Sequence, residues 1–298
     1  MPKRCKNATN DSFSVFHRLS WGDVHGRPHR AILLFAGIHG HELSGSQWLA
    51  DHIRQTGSYT KWDARDVLKA LDGQEPHIAK LHLAALHPDK ASHTDDVFIV
   101  PSFNREGICR HRRTDRTGRD LNRQFVPDTQ SVAVQMLMCF VQYLKGIYGR
   151  NLLVVDFHNC DVYGGDGGMG HNLYATPHPL SIGLLGRIIS EMQDWQGALT
   201  RPEDVLGLDR QPTMTNCKKT RSRSMRTVGA PLAGSGLSGP PGSFRAFCGT
   251  HNVPYILVEV YSNLTYDAQQ QYVDRIVSTV FGLWLHSSPP TVDRSVVR

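Results

Sequence analysis

The sequence predicts an α/β protein with three α/β/α layers, in which helices cover both faces of a mixed, mostly parallel central sheet. Two observations support this prediction. Four short apolar runs are typical of buried strands and lie at 31–36, 97–100, 152–157 and 255–260. Stretches with helical spacing of apolar residues alternate with these runs, and such alternation is typical of parallel strands joined by helices.

A helix is expected after each predicted strand. The four helices are predicted at 43–55, 131–147, 182–192 and 268–285. A chain of 298 residues, 40% of them hydrophobic, is long enough to bury one sizeable core. We therefore predict a single domain over 1–298.

One region departs from this pattern. Residues 199–250 show little hydrophobic periodicity, are rich in Gly, Pro and Ser, and carry a run of basic residues at 218–226. We predict a long basic loop or insertion there, partly mobile. It could act as a flap over a binding site or have no function.

The amino-acid composition limits the cellular compartments and the binding partners to be expected for the chain. The six cysteines form no CxxC pair, so reduced thiols are expected. The N-terminus lacks the apolar stretch of a signal peptide, and no apolar run is long enough to span a membrane. We therefore expect a cytoplasmic protein without membrane contact. The net charge of +6 fits either nucleic-acid binding or an anionic substrate.

A candidate metal site begins just after the first strand. The segment GIHGHE at 37–42 places His39 three residues before Glu42, so that a loop or helical turn can aim both side chains at one point. Imidazole and carboxylate are ligands that catalytic zinc accepts, with a position left open for water. His41 is an alternative ligand, and ordinary surface polarity is the alternative explanation of the motif.

The third ligand is expected from another strand end, because ligands of such sheets bind beyond the carboxyl ends of the strands. The segment DFHN at 156–159 closes the third apolar run, which makes His158 the candidate. Asp156 could then orient the site from behind its ligands. A core histidine satisfied by the backbone is the alternative.

Glu259 lies inside the fourth apolar run. A carboxylate is costly to bury there without a purpose. Burial near a metal would tune its pKa for use as a general base. The alternative is a glutamate that faces solvent at the edge of the sheet.

An arginine-rich segment at 104–125 carries six arginines between Arg110 and Arg123. The segment also carries aspartates and lacks the stacked aromatic residues of many nucleic-acid sites, so we do not expect nucleic acid as a partner. Arginine binds carboxylates in a bidentate manner. Asn122 and Arg123 are therefore predicted to hold a substrate carboxylate, with another arginine at the oxyanion. A solvated charged loop is the alternative.

Together these segments resemble the zinc carboxypeptidase superfamily, including its succinylglutamate desuccinylase/aspartoacylase branch. The matching pieces are GIHGHE (37–42), NREG (104–107), RTDRTGRDLNRQF (113–125), DFHN (156–159) and VEV (258–260). The resemblance implies an α/β/α fold with one zinc per chain, held by His39, Glu42 and His158. It further implies Glu259 as base, Asn122 and Arg123 at the substrate carboxylate, and Arg113 near the oxyanion.

The expected function is that of a zinc-dependent hydrolase cleaving an amide bond next to a free carboxylate. Deacylation of a small N-acyl amino acid is the leading hypothesis. The alternative is a metallocarboxypeptidase that removes a C-terminal residue, such as an acidic one. A basic nucleic-acid-binding protein with a vestigial metal site is a more distant alternative. The sequence leaves the oligomeric state open.

Overall fold

In the described part of the chain, a central sheet of seven strands forms the middle layer. The computed structural model describes residues 13–20, 30–64, 95–160, 172–196, 239–262 and 264–285. The strands are β1 (Ser14–Ser20), β2 (Ala31–Ala36), β3 (Thr60–Asp63), β4 (Asp95–Val100), β5 (Leu152–Cys160), β6 (Asn172–Ala175) and β7 (Tyr255–Tyr261). Their order across the sheet is β3-β1-β4-β2-β5-β7-β6.

The four central strands run in one direction. β4, β2, β5 and β7 pair in parallel, whereas β1, β3 and β6 join the sheet through antiparallel pairings. The carboxyl ends of the four parallel strands therefore meet at the same edge of the sheet. This edge is where polar side chains that follow the strands can converge.

Helices lie on both faces of the sheet. They are α1 (Ser44–Thr56), α2 (Arg105–Arg110), α3 (Val132–Tyr148), α4 (Pro179–Gln196), α5 (Phe244–Thr250) and α6 (Tyr266–Trp284), with short 3₁₀ turns at Leu121–Arg123 and Gly149–Asn151. None of the helices in the described part of the chain is long and apolar enough to cross a membrane.

The alternation of side chains along each strand divides the core in two. On one face, Leu33, Phe35, Phe98 and Val154 pack with α3 and α5. On the other face, Ile32, Leu34, Leu153 and Val155 pack with α1, α4 and α6. Because both faces of the central strands are buried, these strands are continuous apolar runs in the sequence.

The predicted three-layer α/β/α fold is confirmed. The four predicted strands correspond to β2, β4, β5 and β7, and the four predicted helices to α1, α3, α4 and α6. Three strands were not predicted, namely β1, β3 and β6.

Two sequence-based expectations need correction. The predicted loop at 199–250 ends in the helix α5, in which Phe244, Phe247 and Cys248 are buried. The packing of these apolar side chains against the sheet outweighs the Gly- and Pro-rich composition just before them. Residues 199–238 lie outside the described part of the chain, and the proposed flap with them.

The expectation of reduced thiols is wrong for Cys109, which is disulfide-bonded, because cysteines distant in sequence can meet in a fold.

Candidate metal centre

The loop after β2 is held in place by Asn104, the residue that caps α2. Its backbone N–H donates to the carbonyl of Gly37 at 2.8 Å. Its side-chain Nδ2 donates to the carbonyl of Ile38 at 3.2 Å, and its Oδ1 accepts from the N–H of Gly107 at 2.8 Å. Asn104 is fully buried. The NREG segment therefore fixes the backbone that presents His39.

Gly40 brings this loop into direct contact with α2. Its N–H donates to the carbonyl of Arg112 at 2.9 Å. A Cβ at position 40 would lie 1.8 Å from the carbonyl carbon of Gly107. Only glycine allows so close an approach of two backbones, so the side chains on either side of Gly40 take a fixed direction.

The structure brings His39, Glu42 and His158 together at the carboxyl edge of the sheet. All three are buried, and one potential ligand atom from each lies within 4.8 Å of the others. Glu42 Oε1 lies 2.7 Å from His39 Nδ1, and Glu42 Oε2 lies 2.7 Å from His158 Nδ1. Burial by itself would raise the pKa of Glu42, but His158 and His39 outweigh that effect and hold this pKa well below its usual range.

Each histidine has a carboxylate at its other ring nitrogen. His39 Nε2 lies 3.2 Å from Asp120 Oδ1, and His158 Nε2 lies 3.3 Å from Asp156 Oδ2. Histidines that bind zinc almost always donate their second ring N–H to a carboxylate, a backbone carbonyl or water, which fixes the tautomer and the ring direction. Both Nδ1 atoms are then free to act as ligands beside Glu42. This donor set fits one zinc ion.

Asp120 is a site residue that the sequence argument missed. Its 81-residue separation from His39 gave no local signal of the contact. Burial would raise the pKa of Asp120, but His39 and Arg113 more than offset this and hold it well below its usual range. Asp120 therefore stays ionised and can orient His39.

Glu259 lies next to His158 on the neighbouring strand. The two residues are partners in the parallel register of β5 and β7, and their side chains point to the same face of the sheet. Burial raises the pKa of the partly buried Glu259; His158 opposes this shift, and Glu42 and Asp156 reinforce it. A second carboxylate of raised basicity thus lies beside the three candidate ligands.

Arg113 reaches the centre from the arginine-rich segment. Its Nε donates to Asp120 Oδ2 at 2.9 Å, and its Nη1 lies 3.7 Å from Glu42 Oε1. The side chain is 44% exposed, so the guanidinium also faces the open side of the centre. Arg113 therefore places a positive charge at the rim of the candidate metal site.

Asn122 and Arg123 lie on the 3₁₀ turn that follows Asp120. Asn122 Oδ1 accepts from the N–H of Phe244 at 2.9 Å, which joins this turn to α5. The Asn122 N–H donates to Asp120 Oδ1 at 2.9 Å. Arg123 is exposed, and its Nη1 donates to the Asn122 carbonyl at 2.6 Å. Within the described residues Arg123 forms no ion pair, and it does not contact the three candidate ligands.

His41 lies at the rim of the centre. Its side chain is 38% exposed, and its Nε2 is 3.8 Å from Glu42 Oε1. It is thus more distant from Glu42 than either His39 or His158. The geometry favours His39 over His41 as the ligand from the GIHGHE segment.

Comparisons with known proteins extend these observations. No protein-family model matches the chain, and a search of curated proteins gave no match. Among solved structures, the chain is similar to a protein from Shewanella amazonensis SB2B, provisionally named a metallopeptidase, with a TM-score of 0.50 and 15% identity over 91% of this chain and 82% of that one. It is also similar to the tripeptide-bound cell shape determinant Csd4 from Helicobacter pylori, with a TM-score of 0.51 and 13% identity over 95% of this chain and 58% of that one.

A weaker likeness links the chain to a succinylglutamate desuccinylase/aspartoacylase from Rhodobacter sphaeroides, with a TM-score of 0.42 and 16% identity over 90% of this chain and 59% of that one. Identities this low bear on the fold alone. The two structures with TM-scores of 0.50 and 0.51 agree with the predicted α/β/α fold.

Proposed function

We propose that the chain is a zinc-dependent hydrolase that cleaves an amide bond next to a free carboxylate, with a small N-acyl amino acid as its substrate. One observation carries this proposal. Two buried histidines and a buried glutamate place one potential ligand atom each within 4.8 Å of the others. The second ring nitrogen of each histidine lies within hydrogen-bond distance of a carboxylate. Such an arrangement is typical of a catalytic zinc site with three protein ligands.

Bound zinc would polarise the scissile carbonyl and lower the pKa of a water molecule. Glu259 is suited to accept the proton of the attacking water, because it lies beside His158 and burial raises its pKa above the usual value of a glutamate. The same carboxyl group would then donate that proton to the leaving amine. An amine is a poor leaving group unless it is protonated, so one group serves both steps.

The arginines suit a negatively charged substrate. Arg113 would stabilise negative charge that develops on the carbonyl oxygen, because its guanidinium lies at the rim of the centre and is held by Asp120. Arg123 is exposed and forms no ion pair within the described residues, so its guanidinium is available to a substrate carboxylate. Asn122 accepts from α5 through Oδ1, which leaves its amide NH₂ as a donor to the same carboxylate.

A metallocarboxypeptidase is the second candidate. It would use the same residues, with the C-terminal carboxylate of a peptide at Asn122 and Arg123. In its favour, the similar Csd4 structure holds a tripeptide. The two candidates differ in the group on the acyl side of the cleaved bond, which is a small acyl group in one case and a peptide in the other.

A substrate panel tests the proposal. Zinc-loaded protein is incubated with N-acetyl and N-succinyl amino acids, and with dipeptides and tripeptides that carry a free or an amidated C-terminus. We expect release of amine from N-acyl amino acids, and no release after amidation of the carboxylate. Turnover confined to peptides would favour the carboxypeptidase. No turnover of any substrate by zinc-loaded protein would contradict both.

A further inference from the structure

A buried aspartate behind the metal centre receives two hydrogen bonds on a single oxygen. Asp156 is fully buried in β5. Its Oδ2 lies 3.3 Å from His158 Nε2 and accepts from the Tyr255 hydroxyl at 2.7 Å. Its Oδ1 has no hydrogen-bond partner among the described residues. The carboxylate is therefore held in one orientation, although sharing its two donors between both oxygens would satisfy it better.

From this geometry we propose that Tyr255 is a positioning residue for His158, acting through Asp156 on the metal ligand that it does not itself touch. The inference rests on the proposed function, since it assigns His158 to the metal. Nothing in the sequence argument gave Tyr255 this role.

In this hydrogen-bond network, His158 and Tyr255 are the donors and Asp156 is the acceptor. For His158 Nδ1 to bind a metal, the ring proton must be on Nε2, from which it is donated to Asp156. The Tyr255 hydroxyl donates to the same carboxylate oxygen, so Asp156 Oδ2 is the acceptor of both hydrogen bonds. An immobile acceptor beside Nε2 selects the tautomer of His158 that leaves Nδ1 free.

Tyr255 is well suited to this role because it is itself immobile. Its ring is 1% exposed and packs edge-on against Phe244, with the ring centroids 5.7 Å apart. Its backbone N–H donates to Ser181 Oγ at 2.9 Å, and its carbonyl accepts from the N–H of Thr176 at 3.1 Å. Contacts from α4, from α5 and from Thr176, the residue after β6, thus fix the hydroxyl that holds Asp156.

The chain contains a matched control, in which a second tyrosine of the same core cluster donates to a buried aspartate. The Tyr148 hydroxyl donates to Oδ2 of the buried Asp96 at 2.5 Å, and Asp96 Oδ1 lies 2.6 Å from His17 Nε2. This second set has the same three residue types, and none of them belongs to the metal centre. Removing either hydroxyl therefore takes a similar hydrogen bond from a buried aspartate, but only one of the two aspartates contacts a candidate ligand.

The experiment compares Tyr255→Phe with Tyr148→Phe, each of which keeps the ring and removes one oxygen. The zinc dissociation constant is measured by competition with a chelator, and the visible absorption spectrum is recorded after cobalt replaces zinc. We expect zinc to bind about tenfold more weakly to Tyr255→Phe, in line with the effect of losing an outer partner of a metal ligand. The cobalt spectrum should change as well. Tyr148→Phe should lose similar thermal stability and keep the native zinc affinity and cobalt spectrum.

A second variant removes the aspartate itself. Asp156→Asn should weaken zinc binding by roughly 10- to 100-fold, and adding Tyr255→Phe to it should weaken binding little further, because the tyrosine acts through the aspartate. Native zinc affinity in Tyr255→Phe, or equal weakening in Tyr148→Phe, would overturn the inference while leaving the proposed function intact. A native chain that binds no zinc would overturn both.

Discussion

Glu259 acquires its proposed role from its position in a strand. Its partner in the sheet is His158, and its pKa is raised first of all by burial. We expect Glu259→Gln to keep fold and zinc and to lower kcat by about 10²- to 10⁴-fold, because an amide cannot accept the proton of water. Steady-state kinetics on protein of measured zinc content checks this. Near-native turnover in a zinc-replete variant would exclude Glu259 as the base.

A single glycine fixes the loop that presents His39. In Gly40→Ala the new Cβ would lie 1.8 Å from backbone of Gly107, a clash that no side-chain movement relieves. We expect a loss of about 1–3 kcal/mol or more in the free energy of unfolding, measured in urea, together with weaker zinc binding.

Gly282→Ala is the matched control for this variant. Gly282 lies in α6, and no atom of the described residues lies within 4 Å of its added Cβ. Alanine should therefore stabilise the protein by roughly 0.5–1 kcal/mol, because glycine is a poor helix former. A Gly40→Ala protein as stable as the native one would mean that the loop and α2 do not lie this close.

Among the elements, the turn at 115–119 determines how the arginine-rich segment reaches the centre. Asp115 Oδ1 accepts from the Thr117 N–H and hydroxyl at 2.8 and 2.7 Å, and from the Arg119 N–H at 2.9 Å. These contacts bring Arg113 back to Asp120. Burial of Asp115 would raise its pKa, but the hydrogen bonds from Thr117 and Arg119, with the charge of Arg119, outweigh burial and lower it.

A lowered pKa in the folded state means that ionised Asp115 stabilises the fold above its unfolded pKa, and that this contribution is lost as the pH falls. Asp115→Ala should therefore lose about 1–3 kcal/mol in urea unfolding at pH 7. The difference from the native protein should shrink as the pH falls below about 4. The exposed Asp128 is the control, and Asp128→Ala should change little. A difference that is the same at every pH would contradict this role.

The next turn of the same segment is predicted to bind the substrate carboxylate. Arg123→Ala should raise KM by about ten- to a hundredfold for a substrate with a free carboxylate, and should change kcat much less, because the contact is made in both ground and transition states. Amidating that carboxylate should cause a similar loss in the native protein. If Arg123→Ala and the native protein had the same KM, the carboxylate would bind elsewhere.

Elements with a strong periodic signal could be predicted from the sequence, and the weaker ones could not. The central strands bury both faces and therefore stand out as apolar runs. β3 has four residues, none of them fully buried, so its place depends on pairing with β1. The helix α5 follows a Gly- and Pro-rich stretch and is only seven residues long. It is stabilised by packing of Phe244 and Phe247, which no local pattern reveals.

In the candidate metal centre, too, only the residues with a local sequence signal could be predicted. His39, Glu42 and His158 could be proposed because each follows or ends a predicted strand. Asp120 and Tyr255 could not, because their roles depend on contacts with residues 81 and 99 positions away. Asn104 belongs to the NREG segment of the resemblance, and the structure shows that it holds the loop of His39 in place.

For the molecule as a whole, the sheet topology accounts for the position of the centre. His39, His158 and Glu259 lie at or just beyond the ends of three of the four parallel strands, β2, β5 and β7, at one edge of the sheet. Asn104, which supports the loop of His39, follows the fourth strand, β4. The segment from 105 to 123 lies over this edge and adds positive charge. The fold and the proposed chemistry therefore depend on the same four strands.

Zinc content after exhaustive dialysis tests the central claim most directly. We predict about one zinc per chain in the native protein and in His41→Ala, and loss of zinc in His39→Ala, Glu42→Ala and His158→Ala, because removing one of three ligands sharply lowers affinity. His41→Ala is the control, since His41 lies at the rim of the same loop. Full zinc occupancy in the three ligand variants, or no zinc in the native protein, would contradict the account.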